Sequence, residues 1–148
     1  MTVESEYEPS PVGWVREQVE RYEGSGGKEG DTLRDTGYAV VLLTMRGARS
    51  GKTRKVPLMR VERNGEYLAV GSQGGAPADP QWVHNLRANT QITLQDRTDK
   101  QDMTVRELEG DERAVWWDRA VAAFPNYADY QTRTDRLIPV FLLTPAMG

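Results

Sequence analysis

The sequence predicts a mostly β domain with helical additions (α+β): a split β-barrel of about six antiparallel strands, with an N-terminal helix and peripheral helices. Three observations lead there. Tyr38–Thr44 is an almost wholly apolar, β-branched run, the mark of a buried strand. Asn64-Gly65 separates two strand-like segments and is a strong hairpin signal. Most strand-like segments are joined by connections too short for parallel crossovers, and closing short antiparallel strands into a barrel removes exposed edges.

Taken in order, residues 1–9 carry Glu4, Glu6, Glu8 and Pro9 and read as a loose tail. Ser10 reads as an N-cap with Pro11 at the first helical position. Val12, Val15, Val19 and Tyr22 then recur at helical spacing, and Gly24 stops the helix. Gly24–Gly30 reads as a flexible connector. Residues 1–30 therefore form a tail, an amphipathic helix and a glycine-rich connector, and 31–148 form a single barrel domain. Thr53–Arg63 follows as a strand, and Glu66–Ser72 returns antiparallel to it across the Asn64-Gly65 turn. Asp79-Pro80 opens a short helix through about Ala88 as N-cap and first helical residue. Ile92–Asp96 and Asp102–Leu108 are strands around an Arg97–Gln101 turn. Asp111 caps a helix through Trp116 and Trp117 to Phe124, which Pro125 ends. An aromatic-polar segment and a last strand, Ile138–Thr144, complete the chain.

At 148 residues there is room for one core. Cysteine is absent, which removes disulfides, thiolate nucleophiles and thiolate metal sites. His84 is the single histidine, so no metal site is expected. The acidic start lacks an apolar stretch and no apolar run reaches membrane-spanning length, so the expected location is the cytoplasm, with at most loose membrane association. The helix of residues 12–24 mixes Arg16 and Arg21 with Glu17, Glu20 and Glu23, so its attraction to anionic lipid is weak.

Against a net charge of −3, Arg46, Arg49, Lys52, Arg54 and Lys55 crowd one short turn with no acid among them. Either these charges point into water or an anion sits among them, and a phosphorylated ligand is the first candidate. Gly47–Thr53 imitates a P-loop, but only three residues separate Gly47 from Gly51. Val56-Pro57 would also break the helix that a P-loop must open, so nucleotide hydrolysis is excluded. An acidic chain with its cations in one turn also argues against a nucleic-acid partner.

Three more segments matter. Val70-Gly71-Ser72-Gln73-Gly74-Gly75 ends the hairpin strand, so it should lie beside Thr53–Arg63, where glycines would let a flat ligand approach the backbone. Gln81-Trp82-Val83-His84-Asn85 lies on the short helix, with Trp82, Asn85 and Leu86 on one face. Phe124-Pro125-Asn126-Tyr127-Ala128-Asp129-Tyr130 either packs the barrel or walls a pocket.

Together these pieces resemble the deazaflavin-dependent nitroreductase family, which binds coenzyme F420 on an FMN-binding split barrel-like fold. The likeness runs from about Tyr38 to Pro145. It is carried by Gly47-x-Arg49-Ser50-Gly51 with Arg54 and Pro57-Leu58, by Gly71–Gly75, by Asp79-Pro80-Gln81-Trp82 with Asn85-Leu86, and by Pro125-x-Tyr127-x-x-Tyr130-Gln131 with Arg136 and Ile138-Pro139. The resemblance implies an F420H2-dependent reductase that passes a hydride to a quinone, an enone or lactone, or a nitroaromatic acceptor.

It implies that Arg49, Lys52, Arg54 and Lys55, with Ala48, Ser50 and Val56 beside them, hold the cofactor's phospholactyl-oligoglutamate tail. Pro57, Leu58 and Met59 would lie along the ring system, and Val70, Gly71, Ser72 and Gln73 would meet it through main-chain groups. Gln81, Trp82, Val83, His84 and Asn85 would close the other side. Ser72, Tyr127 and Tyr130 would be the catalytic residues, Ser72 orienting and the tyrosines walling the substrate pocket or assisting proton delivery. Ala48, Met59 and Phe124 depart from the family pattern, so nitroimidazole activation is not inherited. The alternatives are FMN on the same fold, with flavin-reductase or oxidase activity, and a non-catalytic F420 carrier. The partner is a small-molecule hydride acceptor, and a homodimer is left open.

Overall fold

The apolar run that marks a buried strand becomes β1, Val40–Arg46, because both of its faces are covered. Val40 and Leu42 enter one hydrophobic cluster, while Val41, Leu43 and Met45 enter another. A continuous apolar strand is what two covered faces require. The computed structural model behind this description covers residues 6–33 and 37–146. The first five residues of the expected tail lie outside the described residues.

Seven strands form one sheet in the order β2-β1-β5-β6-β7-β4-β3, and every pair is antiparallel. The sheet is a half-barrel with several helices, the split-barrel fold. The strands are β2 Thr53–Met59, β3 Glu62–Arg63, β4 Glu66–Val70, β5 Gln91–Asp96, β6 Asp99–Glu107 and β7 Val140–Pro145. Alternate residues of β4 and β7 divide between the two clusters as those of β1 do: Leu68, Val70, Val140 and Leu142 join one, and Tyr67, Ala69, Phe141 and Leu143 the other. The first cluster is roofed by α1 Gly13–Gly24, α3 Gly110–Ala123 and α4 Asn126–Thr132, and the second by α2 Gln81–Ala88.

Several expectations need correction. The single strand expected over Thr53–Arg63 breaks at Arg60-Val61, where the chain changes partners. The Arg60 N–H donates to the Ala39 carbonyl at 2.9 Å, and the Leu68 N–H to the Val61 carbonyl at 2.9 Å. β2 therefore pairs with β1, only β3 pairs with β4, and the break brings the strands to seven. The main partner of β4 is β7, from Tyr67↔Leu143 to Val70↔Val140. The glycine-rich end of β4 thus lies beside β7, not beside the strand leaving the cationic turn.

Helix α1 begins after the expected Ser10 cap. Val12 occupies the cap position, and the Ser10 hydroxyl accepts from the Val12 N–H at 3.1 Å. The connector is tied down instead of free. Gln18 Nε2 donates to the Gly30 and Thr32 carbonyls at 2.9 and 2.8 Å, and the Ser25 hydroxyl accepts from the Glu29 N–H at 2.8 Å. Pro80, not Asp79, caps α2, because Asp79 turns its carboxylate to Arg136 and Arg87. Arg97-Thr98 alone makes the β5–β6 turn, since Asp96 pairs with Asp99. Glu109 precedes α3 at its cap position. The aromatic-polar segment is helical: Tyr127 and Tyr130 share one face and pack with Phe124.

The tail is corrected too. Tyr7 bridges Thr53 in parallel, with Glu8 N–H to Thr53 carbonyl and Thr53 N–H to Glu6 carbonyl, both at 2.8 Å. β2 is an edge strand, and an unpaired edge attracts any extended segment within reach. Pro57 sits on this edge without loss, since proline suits an edge strand. Among the described residues no helix is long and apolar enough to cross a membrane, and no cluster of His, Cys, Asp or Glu could hold a metal ion.

Candidate functional site

The cationic turn is built before any ligand arrives. The Gly47 N–H donates to the Lys52 carbonyl at 2.7 Å, the Gly51 N–H to the Gly47 carbonyl at 3.0 Å, and the Lys52 N–H to the Ser50 hydroxyl at 3.1 Å. Asn85 ties this turn to α2. Its side chain is 3% exposed, its Oδ1 accepts from the Ala48 N–H at 2.8 Å, and its Nδ2 points to Met45 Sδ at 3.7 Å. Asn85 thus positions the loop from a buried site.

A cavity of about 350 Å³ opens at this junction. The turn lends it Gly47, Ala48, Arg49 and Ser50, β2 lends Arg54, Lys55 and Val56, and α2 lends Gln81, Trp82 and Asn85. Met45 and Val15 add apolar wall, and Glu8 and Ser10 close one side. Among the described residues no carboxylate pairs with Arg46 or Arg49. The other cations have partners: Lys52 lies 3.9 Å from Glu6, Arg54 lies 3.1 Å from Glu8, and Lys55 lies 2.7 Å from both oxygens of Glu23. The Lys55 ammonium also sits 4.9 Å from the Tyr7 ring centre. Burial, then Glu23 and Glu20, push the Tyr7 hydroxyl pKa up. A volume of this size suits one end of a large anionic cofactor, with unpaired guanidinium at one side and apolar wall at the other.

The remaining expected residues stand elsewhere. Lys52 lies outside the cavity wall on the turn. Pro57 and Leu58 are half-buried on β2 beyond Val56, and Met59 is buried in the core. Val70 and Val83 are core residues, and His84 is exposed. Gly71, Ser72 and Gln73 belong to the loop between β4 and α2, where Ser72 is 8% exposed and Gln73 is open to solvent.

That loop is held by Arg136. Its guanidinium donates to the carbonyls of Gly71 at 3.1 Å, Ser72 at 2.7 Å and Ala76 at 2.9 Å, and to Asp79 Oδ1 at 2.7 Å. Gly71 and Gly75 also have packing reasons of their own. A Cβ on Gly71 would fall 2.7 Å from Val83 Cγ2 and 3.0 Å from Pro139 Cγ, and one on Gly75 would fall 2.6 Å from the Tyr130 carbonyl oxygen. Close packing of Gly75 on Tyr130 sets the loop against α4. There Tyr127 is 4% exposed among Phe124, Trp117 and Tyr130, and burial followed by the charge of Tyr130 pushes its pKa up. Tyr38 stacks edge-on against Phe124 at 5.0 Å and is 37% exposed, so this aromatic cluster reaches the surface.

Sequence reasoning missed Glu8, Ser10, Val15, Met45 and Gly47 as cavity walls, Gly47 entering only as part of a motif. The alternation of Glu6 and Glu8 against Lys52 and Arg54 was an available signal. Arg136 was seen only as part of a motif, and nothing local in the sequence marks it as a hub.

The sequence profile of a family described as F420H(2)-dependent quinone reductase matches residues 14–145. The F420H(2)-dependent quinone reductase Rv1261c of Mycobacterium tuberculosis is 30% identical over 126 residues, covering 83% of this chain and 84% of that protein. A solved F420-H2 dependent reductase, FDR-A, is 56% identical with a TM-score of 0.67, covering 70% of this chain and 92% of that one. A second solved structure, described as a domain-swapped dimer, is 52% identical with a TM-score of 0.70 and covers 90% of this chain and 99% of that one.

Proposed function

From the premise that this chain belongs to the F420H(2)-dependent quinone reductase family and is an F420-dependent oxidoreductase, we propose that it reduces quinones in the cytoplasm, and enones, lactones or nitroaromatics of similar electron demand. The observation that carries the reading is the cavity where the cationic turn, β2 and α2 converge. Quinones come first among acceptors because the relatives are named for them.

When bound, the reduced deazaflavin supplies a hydride, so the protein needs no nucleophile of its own. Arg49 and Arg54 would hold the cofactor's phosphate, since a guanidinium fork donates two parallel hydrogen bonds to such an oxyanion. Lys52 and Lys55 would attract the tail carboxylates as point charges. Val56, Pro57, Leu58 and Trp82 offer apolar surface that excludes water from a flat ring. The main chain at Ser72, fixed from behind by Arg136, supplies a rigid polar edge for orientation. Tyr127 and Tyr130 set the aromatic boundary of the acceptor side, and Tyr130, less deeply buried, is the better placed to exchange a proton with solvent. The relative described as a domain-swapped dimer supports a homodimer as the working assembly.

The test is a fluorescence titration with coenzyme F420, followed by anaerobic assay of F420H2 oxidation with a quinone panel. Saturable binding and quinone-dependent oxidation are expected. Binding without oxidation by any quinone, enone or nitroaromatic would make the protein a carrier.

A further inference from the structure

We propose that the N-terminal segment Glu6–Glu8 is an internal substitute for the cofactor's anionic tail, seated on the cationic turn until the tail displaces it. The proposal rests on the F420 reading and adds a gate to that same site. Its chemical basis is that the strap presents the functional group the tail presents, the carboxylate of glutamate. Glu6 and Glu8 lie two residues apart on an extended segment, about 6.6 Å along the chain. That repeat matches Lys52 and Arg54, two residues apart on the neighbouring edge, and each acid meets one cation.

The seat is built, and its two acid pairs are the weakly held part. The backbone contributes two hydrogen bonds, Glu8 to Thr53 and Thr53 to Glu6. Both ion pairs are open to water, Glu6 with 79% of its side chain exposed and Glu8 with 42%, so each is worth little. Tyr7 between them anchors the strap through its ring, which packs against the hydrophobic core and lies 4.9 Å from the Lys55 ammonium. Its buried hydroxyl has no hydrogen-bond partner among the described residues, a cost as long as the strap is seated. Glu8 and Ser10 also line the cavity. With the strap down, Arg54 faces a carboxylate, and an incoming anion must compete with Glu8 for it. A ligand carrying several negative charges is the one able to exchange both pairs at once. A deazaflavin without phosphate or tail has nothing to exchange and leaves the strap in place.

The experiment compares full-length wild type with the double variant E6Q/E8Q. Each is titrated with coenzyme F420 and with the tailless deazaflavin nucleoside, and amide hydrogen exchange at Glu8 and Thr53 is followed in wild type. The variant should bind F420 more tightly by about two- to thirtyfold, the span of two exposed ion pairs, and the nucleoside unchanged within about twofold. Exchange at Glu8 and Thr53 should speed up when F420 binds and stay slow with the nucleoside. Equal F420 affinity in both proteins, or slower exchange in the F420 complex, would overturn the gate while leaving the cofactor reading intact. Failure of wild type to bind either compound would instead overturn the cofactor reading and the gate with it.

Discussion

The cationic turn and the Ser72 loop, both proposed to meet the cofactor, are made in opposite ways. The turn is a surface feature: its cations, apart from Lys55 on half-buried Glu23, are solvated or paired with exposed acids, and its shape comes from its own backbone and from Asn85. The loop between β4 and α2 is a packed feature, with glycines pressed against Val83, Pro139 and Tyr130 and carbonyls bound by Arg136. A site assembled from both should separate in response to mutation: changes at the turn should alter affinity, and changes at the loop should alter folding.

The largest expected effect is at Arg136. Its side chain is 15% exposed and bonds three carbonyls and Asp79, so Arg136→Ala strips the Gly71 and Ala76 carbonyls of this donor and leaves the partly buried Asp79 only the longer 3.7 Å contact with Arg87. Loss of about 3–5 kcal/mol is expected, as when a buried pair is broken. Urea unfolding should show a lower midpoint at unchanged slope. Lysine should not restore it, because an ammonium cannot reproduce the fork that bridges several acceptors. A midpoint unchanged in Arg136→Ala would erase the distinction between the two regions.

How much of this was readable beforehand follows the same division. The turn was legible because like charges close in sequence are visible without knowledge of the fold. β1 and the hairpin turn were legible from local pattern. The pairing of β4 with β7 was not, since the residues Tyr67 and Leu143 are brought together only when the sheet closes. The packing reason for Gly71 was hidden for the same reason: Val83 and Pro139, which crowd any side chain there, approach from distant elements. The strap on β2 was hidden because a short acidic segment looks disordered until the edge that receives it exists. Arg136 is the clearest case, its partners at Gly71, Ser72 and Ala76 lying far upstream in the chain.

Gly71→Ala sharpens the contrast next. A methyl group at 2.7 Å from Val83 Cγ2 forces a shift between the end of β4 and α2. Overpacking of this kind costs about 1–3 kcal/mol, measurable by thermal or urea unfolding. If the loop glycine served only ligand approach, the variant would keep wild-type stability and lose only binding.

At the turn the sign of the contrast reverses. Arg49→Ala should weaken F420 binding by about 1–3 kcal/mol, the range for hydrogen bonds to a charged group, with unfolding free energy within about 0.5 kcal/mol of wild type. Arg54→Ala should weaken it less, because Arg54 already faces Glu8 and must leave that partner to serve the ligand. Parallel titrations at low and high salt decide this: a larger loss at Arg54 would mean that the Glu8 pair does not compete with the cofactor.

Tyr127→Phe carries the smallest effect at neutral pH and tests whether the aromatic cluster belongs to the packed region. Removing one hydroxyl at a position 4% exposed changes volume little, so stability at pH 7 should move by less than about 1 kcal/mol. Cofactor affinity should hold, and any kinetic loss should fall on acceptor reduction. The difference should emerge in alkali. Burial raises the Tyr127 pKa above its unfolded value, so between those two values the unfolded chain has lost a proton that the folded chain keeps. Bound protons are then fewer in the unfolded state, and stability must fall as pH rises above about 10. Tyr67, buried and hydrogen-bonded to Asp96, adds a slope of the same sign. Each tyrosine held protonated contributes up to about 1.4 kcal/mol per pH unit in that window, so Tyr127→Phe should flatten the alkaline decline without removing it. Should the decline be as steep in the variant as in wild type, Tyr127 ionises freely in the folded protein, and its hydroxyl lies open to the acceptor pocket and not within the core.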